Sequence, residues 1–307
     1  MTVSPGEARS RRPPGGRPAT GRESTVANKM IPDHLQTLLD ATRGELGPFA
    51  RHGRVVATTA STNDDALAWA AQGAPEGAWI VAGAQSAGRG RRGRVWASPP
   101  GAGLYVSVIF RPRPAEPPIS ADPGGDPAMS LLTVMAGVAA VEAIHEATSV
   151  RATLKWPNDV VVEAPGVATR KLAGILAEGA MAGPRLSAVV VGLGVNLRPS
   201  AYPPEIAARA VALETLAGRA VDPDSVLVSL LGALARRRRA LAEPRGGQAL
   251  LDTWRAWSPS ATGARLRWRQ QDQICEGITA GVDDTGALHV HTGRGEVRLV
   301  AGEVEWA

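Results

Sequence analysis

The sequence predicts an α+β fold, a mixed β-sheet with packed helices followed by a small β-barrel. Three observations predict it. From Arg54 onward, short β-branched runs alternate with longer runs of helical periodicity. After Trp257 the texture shifts to short alternating runs separated by turns such as Asp284-Thr285-Gly286, which suits a barrel of about 50 residues. Finally, 307 residues with 44% hydrophobic and 21% charged side chains are enough to bury a sizeable core.

The elements follow in order. Residues 1–30, rich in Pro, Gly, Ser and Arg, contain almost no large apolar residue and are expected to form a disordered basic tail. Met30 begins a helical pattern of Ile31, Leu35, Leu38 and Leu39, which makes it one candidate start of translation, and the sequence leaves the presence of residues 1–29 in the native protein open. Val55 to Thr59 reads as a strand, and Ser61 to Gln72 as a helix opened by capping side chains. Trp79 to Gly83 and Leu104 to Phe110 are strands on either side of a Gly/Arg loop. Ile119 to Pro127 reads as a linker, and Ala128 to Ala147 as a helix apolar on most faces, hence buried. Strands are expected at Thr153 to Trp156, Val160 to Val162, Leu172 to Glu178 and Leu186 to Leu197. Asp222-Pro223 opens a helix running to about Leu241. Barrel strands are expected at Arg265 to Arg269, Ile274 to Val282, Ala287 to His291 and Glu296 to Val300. A boundary near Ser258 to Gly263 divides the chain into 31–257 and 258–307.

Composition excludes several classes. No stretch approaches the roughly 18 consecutive apolar residues of a membrane span; Met129 to Val141 comes nearest and is interrupted by Ser130, Thr133 and Gly137. No apolar segment follows the N-terminal arginines, so no secretory signal is read there, and a cytoplasmic address follows. Cys275 is the single cysteine, which rules out an internal disulfide framework and any cysteine-cluster zinc site; its simplest role is that of a small buried hydrophobe. His145, His289 and His291 lack metal-ligand spacing with acidic partners. The formal charge of +5 invites a nucleic-acid reading, but residues 1–30 hold +4 of it and the body is nearly neutral. Arg236 to Arg239 span every face of a helix, which suits salt bridges or solvation better than a polyanion contact.

The most unusual segment is Gly88-Arg89-Gly90-Arg91-Arg92-Gly93-Arg94. It matches the G-x-G-x-x-G dinucleotide pattern in form, yet Trp96-Ala97-Ser98-Pro99-Pro100-Gly101 cannot open the helix whose N-terminus would receive a pyrophosphate. Guanidinium groups alternating with glycines instead make a mobile cationic loop that can approach a polyanion closely.

Gln85 to Trp96 resembles the ligand-binding loop of biotin protein ligases. Lys155-Trp156-Pro157-Asn158-Asp159, Arg170 to Glu178, Gly192-Leu193-Gly194-Val195-Asn196-Leu197 and Ser61-Thr62-Asn63 resemble four further motifs of that family, in family order. The resemblance implies a class II synthetase-like biotin/lipoate ligase catalytic domain and an SH3-like C-terminal barrel. It also implies a reaction: biotin and ATP, with Mg²⁺, form biotinyl-5′-AMP, and a lysine of a carrier domain then displaces AMP.

The residues suit that reaction. Two anionic reactants repel unless a cationic, partly desolvated cage holds them. Arg89, Arg91, Arg94 and Lys171 can supply it, and aminolysis of an acyl-adenylate needs no enzyme nucleophile. The resemblance makes Lys171, Arg89 and Arg91 catalytic. It assigns Ser61, Thr62, Asn63, Gln85, Gly88, Arg89, Arg91, Lys171, Gly174, Gly192 and Gly194 to biotin. It assigns Arg91, Arg92, Arg94, Trp96, Asn158, Asp159, Lys171 and Asn196 to ATP and the adenylate, Trp96 beside the adenine and Asn158 on its edge. Mg²⁺ would be held mainly by phosphates. Alternatives stand beside these roles: Ser61 as a helix cap, Lys171 as a solvated lysine before a strand, Trp156 as packing, and Asp159 as either a partner of Lys171 or a metal ligand. Gly192 and Gly194 interrupt a β-branched strand, which signals close approach of a ligand, here biotin's bicyclic ring.

The implied acceptor is the biotin carboxyl carrier domain of acetyl-CoA or another acyl-CoA carboxylase, with the enzyme a monomer or homodimer. About 30 residues between Met30 and Ser61 are too few for the winged helix of the family's repressor members, so no specific DNA binding is expected, and no membrane partner. The rivals are a lipoate or octanoate ligase of the same fold, a basic nucleic-acid-binding protein, and a catalytically dead biotin sensor.

Overall fold

The computed structural model describes residues 31–111, 127–164, 167–183, 185–270, 273–300 and 304–306. The expected N-terminal tail, the start at Met30 and nearly all of the Ile119 to Pro127 linker lie outside them. Two sheets carry the chain. The first has seven strands: β1 (Gly53–Val56), β2 (Trp79–Ala82), β3 (Gly103–Phe110), β4 (Thr153–Lys155), β5 (Asp159–Ala164), β6 (Val167–Ala182) and β7 (Arg185–Asn196). They lie in the order β1-β2-β3-β7-β6-β5-β4. The sheet is mixed, because β1 and β2 run parallel while every other pairing is antiparallel.

The helices are α1 (Asp33–Ala41), α2 (Arg43–Leu46), α3 (Thr62–Ala71), α4 (Pro127–Thr148), α5 (Leu213–Ala217), α6 (Pro223–Ala240) and α7 (Gly246–Ala256). Strand alternation divides the packing between two faces. Val106, Val108, Phe110, Val189 and Val191 join the core with α1, α4, α6 and α7. Ile80, Ile109 and Val190 pack with Ala66 and Ala70 of α3 on the other face. Helices thus cover both faces, as near-continuous apolar strands require.

Helix starts follow the capping chemistry read from the sequence. Ser61 Oγ accepts from the Asp64 amide, and Asp222 accepts from the amides of Asp224 and Ser225 with Pro223 in the first turn. Two boundaries escape such rules. α7 begins after Arg245 in a left-handed conformation (φ 62°), and β12 (Val304–Trp306) is only three residues long; the sequence predicted neither element.

One expectation is qualified and one is corrected. No run of 18 consecutive apolar residues is present, although Ser130–Thr148 of α4 forms a 19-residue helical segment of mean hydropathy 1.3, long and apolar enough to cross a membrane by length and composition alone. The small residues expected to interrupt it are instead accommodated; Gly137, for example, leaves room for Leu154. Two thirds of that stretch (67%) is buried within the protein, against the sheet and α6, as an all-apolar core helix should be. Second, the C-terminal strands do not close. β8 (Thr262–Gln270), β9 (Gln273–Val282), β10 (Leu288–Thr292), β11 (Gly295–Leu299) and β12 form a five-stranded antiparallel sheet in the order β11-β10-β9-β8-β12. Among the described residues β11 and β12 are unpaired edges, because short β12 reaches only β8. The predicted strands are present, but as an open sheet. Leu266, Trp268, Leu288 and Val290 on its inner side continue the core of the first sheet. Cys275 is only half-buried, at the margin of that core.

The arginine run on α6 is salt-bridged on several faces. Arg236 meets Glu146 at 3.1 Å, Arg237 pairs with Glu142, and Arg239 donates to the Glu45 carbonyl at 2.9 Å. Arg238 is 2% exposed and spans Glu76 (3.0 Å) and the Arg111 carbonyl (2.7 Å), joining α6 to the end of β3. Removing one partner of a buried pair leaves a charge stranded in the core. Arg238→Ala is therefore expected to lower stability by about 3–5 kcal/mol, while Arg236→Ala on the exposed side costs under about 1 kcal/mol; urea denaturation of the two variants measures the contrast.

Candidate active site

The Gly/Arg loop leaves β2 and folds into a small hairpin. Arg89 and Val95 form an antiparallel bridge, the Gly90 amide donates to the Arg94 carbonyl at 2.7 Å, and the Trp96 amide donates to the Gly88 carbonyl at 2.9 Å. Its tip turns through two left-handed residues, Arg92 (φ 55°) and Gly93 (φ 73°). Where the sequence suggested a mobile loop, the alternating glycines produce a turn with cross-bridging amides. Tyr105 Oη secures the segment after it by donating to the Pro99 carbonyl at 3.2 Å, and burial pushes this phenol up to about 12.

The hairpin folds back over the first sheet and delivers Arg89 to two carboxylates. Arg89 Nη2 lies 2.6 Å from Asp64 Oδ1 on α3 and 2.7 Å from Glu178 Oε2 on β6. Lys171 Nζ, also on β6, lies 2.6 Å from Asp159 Oδ1 on β5. Arg91 Nη1 donates to Asn158 Oδ1 at 3.3 Å. Burial, followed by repulsion from Arg92, pushes the Arg91 guanidinium below its ordinary value. Arg92 and Arg94 stand at the exposed rim.

Trp96 links the loop to Lys171. The Lys171 ammonium sits 5.2 Å from the indole centroid, within cation–π reach. Gly174 and Gly194 face each other across β6 and β7 and make a flat shelf under the indole. A Cβ at Gly174 would come within 2.9 Å of Trp96 Cζ3, and one at Gly194 would fall inside the ring's contact distance at Nε1. A Cβ at Gly192 would run into the Asn63 amide. The close approach expected over Gly192 and Gly194 is therefore present, but Asn63 and Trp96 make it. Trp96 is half-buried, and its Nε1 is buried without a hydrogen-bond partner.

The other predicted residues split into two groups. Ser61, Thr62 and Asn63 open α3 beneath the loop. Gln85 Oε1 accepts from the Thr62 amide at 2.9 Å and lies 3.1 Å from the Thr62 hydroxyl oxygen, and Gln85 Nε2 donates to Ser98 Oγ at 2.8 Å. Gly88 packs so tightly that a Cβ would come within 2.8 Å of Ser98 Oγ. Asn158 and Asn196 are committed to backbone. Asn158 Nδ2 donates to the Ile175 carbonyl at 2.6 Å, and Asn196 Nδ2 donates to the carbonyls of Lys171 (3.3 Å) and Val211 (3.4 Å). Asn196 thereby fixes the main chain that carries Lys171. Trp156 is 4% exposed, packs in the core as its alternative role had it, and donates from Nε1 to the Gly286 carbonyl of the second sheet at 3.0 Å. That bond ties the β9–β10 turn to the segment bearing Asn158 and Asp159.

Sequence reasoning missed Asp64, Glu178, Ser98 and Ser107. Two signals were available. Glu178 closes the run that begins at Arg170, and Ser107 is the one aliphatic hydroxyl in the apolar strand Gly103–Phe110, where it is fully buried.

The chain matches known proteins along most of its length. Residues 54–196 match the model of the Biotin/lipoate A/B protein ligase family, and residues 266–306 match the Biotin protein ligase C terminal domain. The Biotin--[acetyl-CoA-carboxylase] ligase of Paracoccus denitrificans is 35% identical, over 81% of this chain and 98% of its own. The Bifunctional ligase/repressor BirA of Bacillus subtilis is 32% identical, over 80% of this chain and 71% of its own. The biotin protein ligase from Aquifex aeolicus in complex with biotin and ATP shares the fold, with a TM-score of 0.67 at 24% identity over 84% of this chain and 99% of that one.

The glycine shelf has a direct test. Gly194→Val is expected to expel the Trp96 indole. In 5-fluorotryptophan-labelled protein the ¹⁹F resonance assigned by Trp96→Phe should move toward the solvent-exposed position, while the Trp79 resonance stays in place.

Proposed function

This chain belongs to the biotin protein ligases of the biotin/lipoate A/B protein ligase family, enzymes of the ligase class, and on that premise we propose that it joins biotin to a specific lysine of a biotin carboxyl carrier domain through biotinyl-5′-AMP. The carboxylate of biotin attacks the α-phosphorus of ATP and pyrophosphate departs. The acceptor lysine, as the neutral amine, then attacks the acyl carbon, AMP leaves, and the amine proton passes to solvent.

One observation carries the proposal: Lys171, Trp96, Arg91, Asn158 and Asp159, drawn from three separate sequence motifs, meet at one place beneath the arginine hairpin. Lys171 sits between the sheet and the loop, where it can exchange Asp159 for the biotin carboxylate and later for the α-phosphate oxygens. Arg89 and Arg91 complete a cationic enclosure whose partial burial strengthens its hold on anions. Ser61, Thr62 and Gln85 lie under the loop, where the ureido ring would be read, and Trp96 with Asn158 borders the adenine. For Asn158 that role requires exchanging Arg91 for the base.

Mg²⁺ would supply charge neutralisation at the departing pyrophosphate. The nearby carboxylates Asp64, Asp159 and Glu178 already face cations, which suits an ion carried mainly by phosphate oxygens, with Asp159 the protein group best placed to meet it. The names of relatives point to the acceptor as the biotinyl domain of an acetyl-CoA or other acyl-CoA carboxylase. We place the reaction in the cytoplasm, where such acceptors are made.

The test is transfer of biotin, with MgATP, to a lysine of a purified carrier domain, read by mass spectrometry. Lipoate in place of biotin should give no product; preference for lipoate would overturn the substrate assignment. Lys171→Met is expected to lower biotin-dependent ATP–pyrophosphate exchange by about 10²-fold or more, the usual cost of losing one charge-stabilising donor.

A further inference from the structure

Beneath the hairpin, polar side chains and the Thr62 amide form one continuous hydrogen-bonded chain that begins and ends on the loop. Arg89 Nη2 donates to Glu178 Oε2 at 2.7 Å, and the same oxygen accepts from Asn63 Nδ2 at 2.7 Å. Asn63 Oδ1 accepts from Ser107 Oγ at 2.6 Å, and Ser107 Oγ lies 2.7 Å from Thr62 Oγ1. The Thr62 amide donates to Gln85 Oε1 at 2.9 Å, which leaves the Thr62 hydroxyl proton for Ser107 Oγ; Gln85 donates to Ser98 Oγ, and Ser98 donates to the Trp96 carbonyl at 3.1 Å. The directions are mutually consistent. A carboxylate at one end accepts only, a carbonyl at the other accepts only, and each amide in between has one orientation that satisfies both neighbours. Glu178 is the sole anion in this chain, and it holds the loop and the α3 amide through a single oxygen.

We propose that Glu178 is a positioning residue that latches the arginine hairpin onto the side chains reading the ureido ring, so that loop closure and ring recognition are one event. The role of the ring rests on the biotin reading above; the latch itself is a property of the ligand-free chain. Charge and shape separate the latch from simple packing. Glu178→Gln keeps an acceptor for Asn63 but replaces the charge-assisted bond to Arg89 with a neutral one. Glu178→Asp keeps the charge on a side chain one methylene shorter. Asp64 also holds Arg89, so the single change loosens the loop and Asp64→Asn combined with Glu178→Gln releases it.

Two measurements on the full chain test this: the rate of trypsin cleavage within residues 89–94 without ligand, and the KM for biotin against kcat in ATP–pyrophosphate exchange. For Glu178→Gln, cleavage and KM are each expected to rise about three- to fivefold, the scale of a half-exposed ion pair, with KM rising by more than kcat falls. Glu178→Asp should recover most of the loss, and the double variant should exceed the single one. Unchanged cleavage and KM, or a Glu178→Asp variant as impaired as Glu178→Gln, overturns the latch. If the unaltered chain shows no biotin-dependent exchange, the biotin reading fails and the cleavage rates alone decide the latch.

Discussion

The site depends on offsetting its cations with groups from the protein's own sheet and helix: Arg89 pairs with two carboxylates, Lys171 with one, and Arg91 bonds the Asn158 amide. Arg89, Arg91 and Lys171 must converge if two anionic substrates are to meet, but like charges gathered in a partly buried place repel one another more strongly than in water. Asp64 from α3, Glu178 from β6 and Asp159 from β5 offset that repulsion in the absence of substrate. Anionic substrate groups can then replace carboxylates without the cations having to be assembled anew. This is preorganisation in the electrostatic sense: the charge is in place before the reaction needs it.

The sheet makes the pairing possible because two of its central strands carry glycine where an ordinary residue would project. Gly174 and Gly194 lie opposite one another, Gly192 is two residues away, and together they let Trp96 and Asn63 lie close to the backbone. The loop can descend onto this surface only because the surface is flat. Trp96 in turn presents its ring to Lys171, so the aromatic that closes the loop also helps to hold the ammonium. The second sheet contributes through Trp156 and Gly286, which couple the C-terminal strands to the segment bearing Asn158 and Asp159.

Much of the fold was legible because its strands are β-branched runs and its helices open with Ser61 or Asp222-Pro223, signals that act locally. What escaped was decided non-locally. The length of β12 and the openness of the second sheet depend on which edges find partners, and the start of α7 rests on a left-handed Arg245 that no propensity favours. In the site, the cations stood out as a motif while their counter-ions did not. Asp64 reads as an ordinary first-turn acid of α3, and Glu178 as the tail of a strand, until the sheet brings both to Arg89. Ser107 was the accessible clue, a hydroxyl amid apolar neighbours that had to have a partner if buried. The glycines at 192 and 194 signalled close approach of a ligand, and the sequence did not show that a tryptophan and an asparagine of the same chain come close there.

The most direct test of this account is a crystal structure of the chain with a non-hydrolysable analogue of biotinyl-5′-AMP. The Lys171 ammonium is expected to leave Asp159 for the acyl-phosphate region of the analogue, with the Arg89 and Arg91 guanidinium groups within hydrogen-bonding distance of the same molecule. An analogue bound elsewhere, with Lys171 still paired to Asp159 and the hairpin arginines turned away, would contradict it.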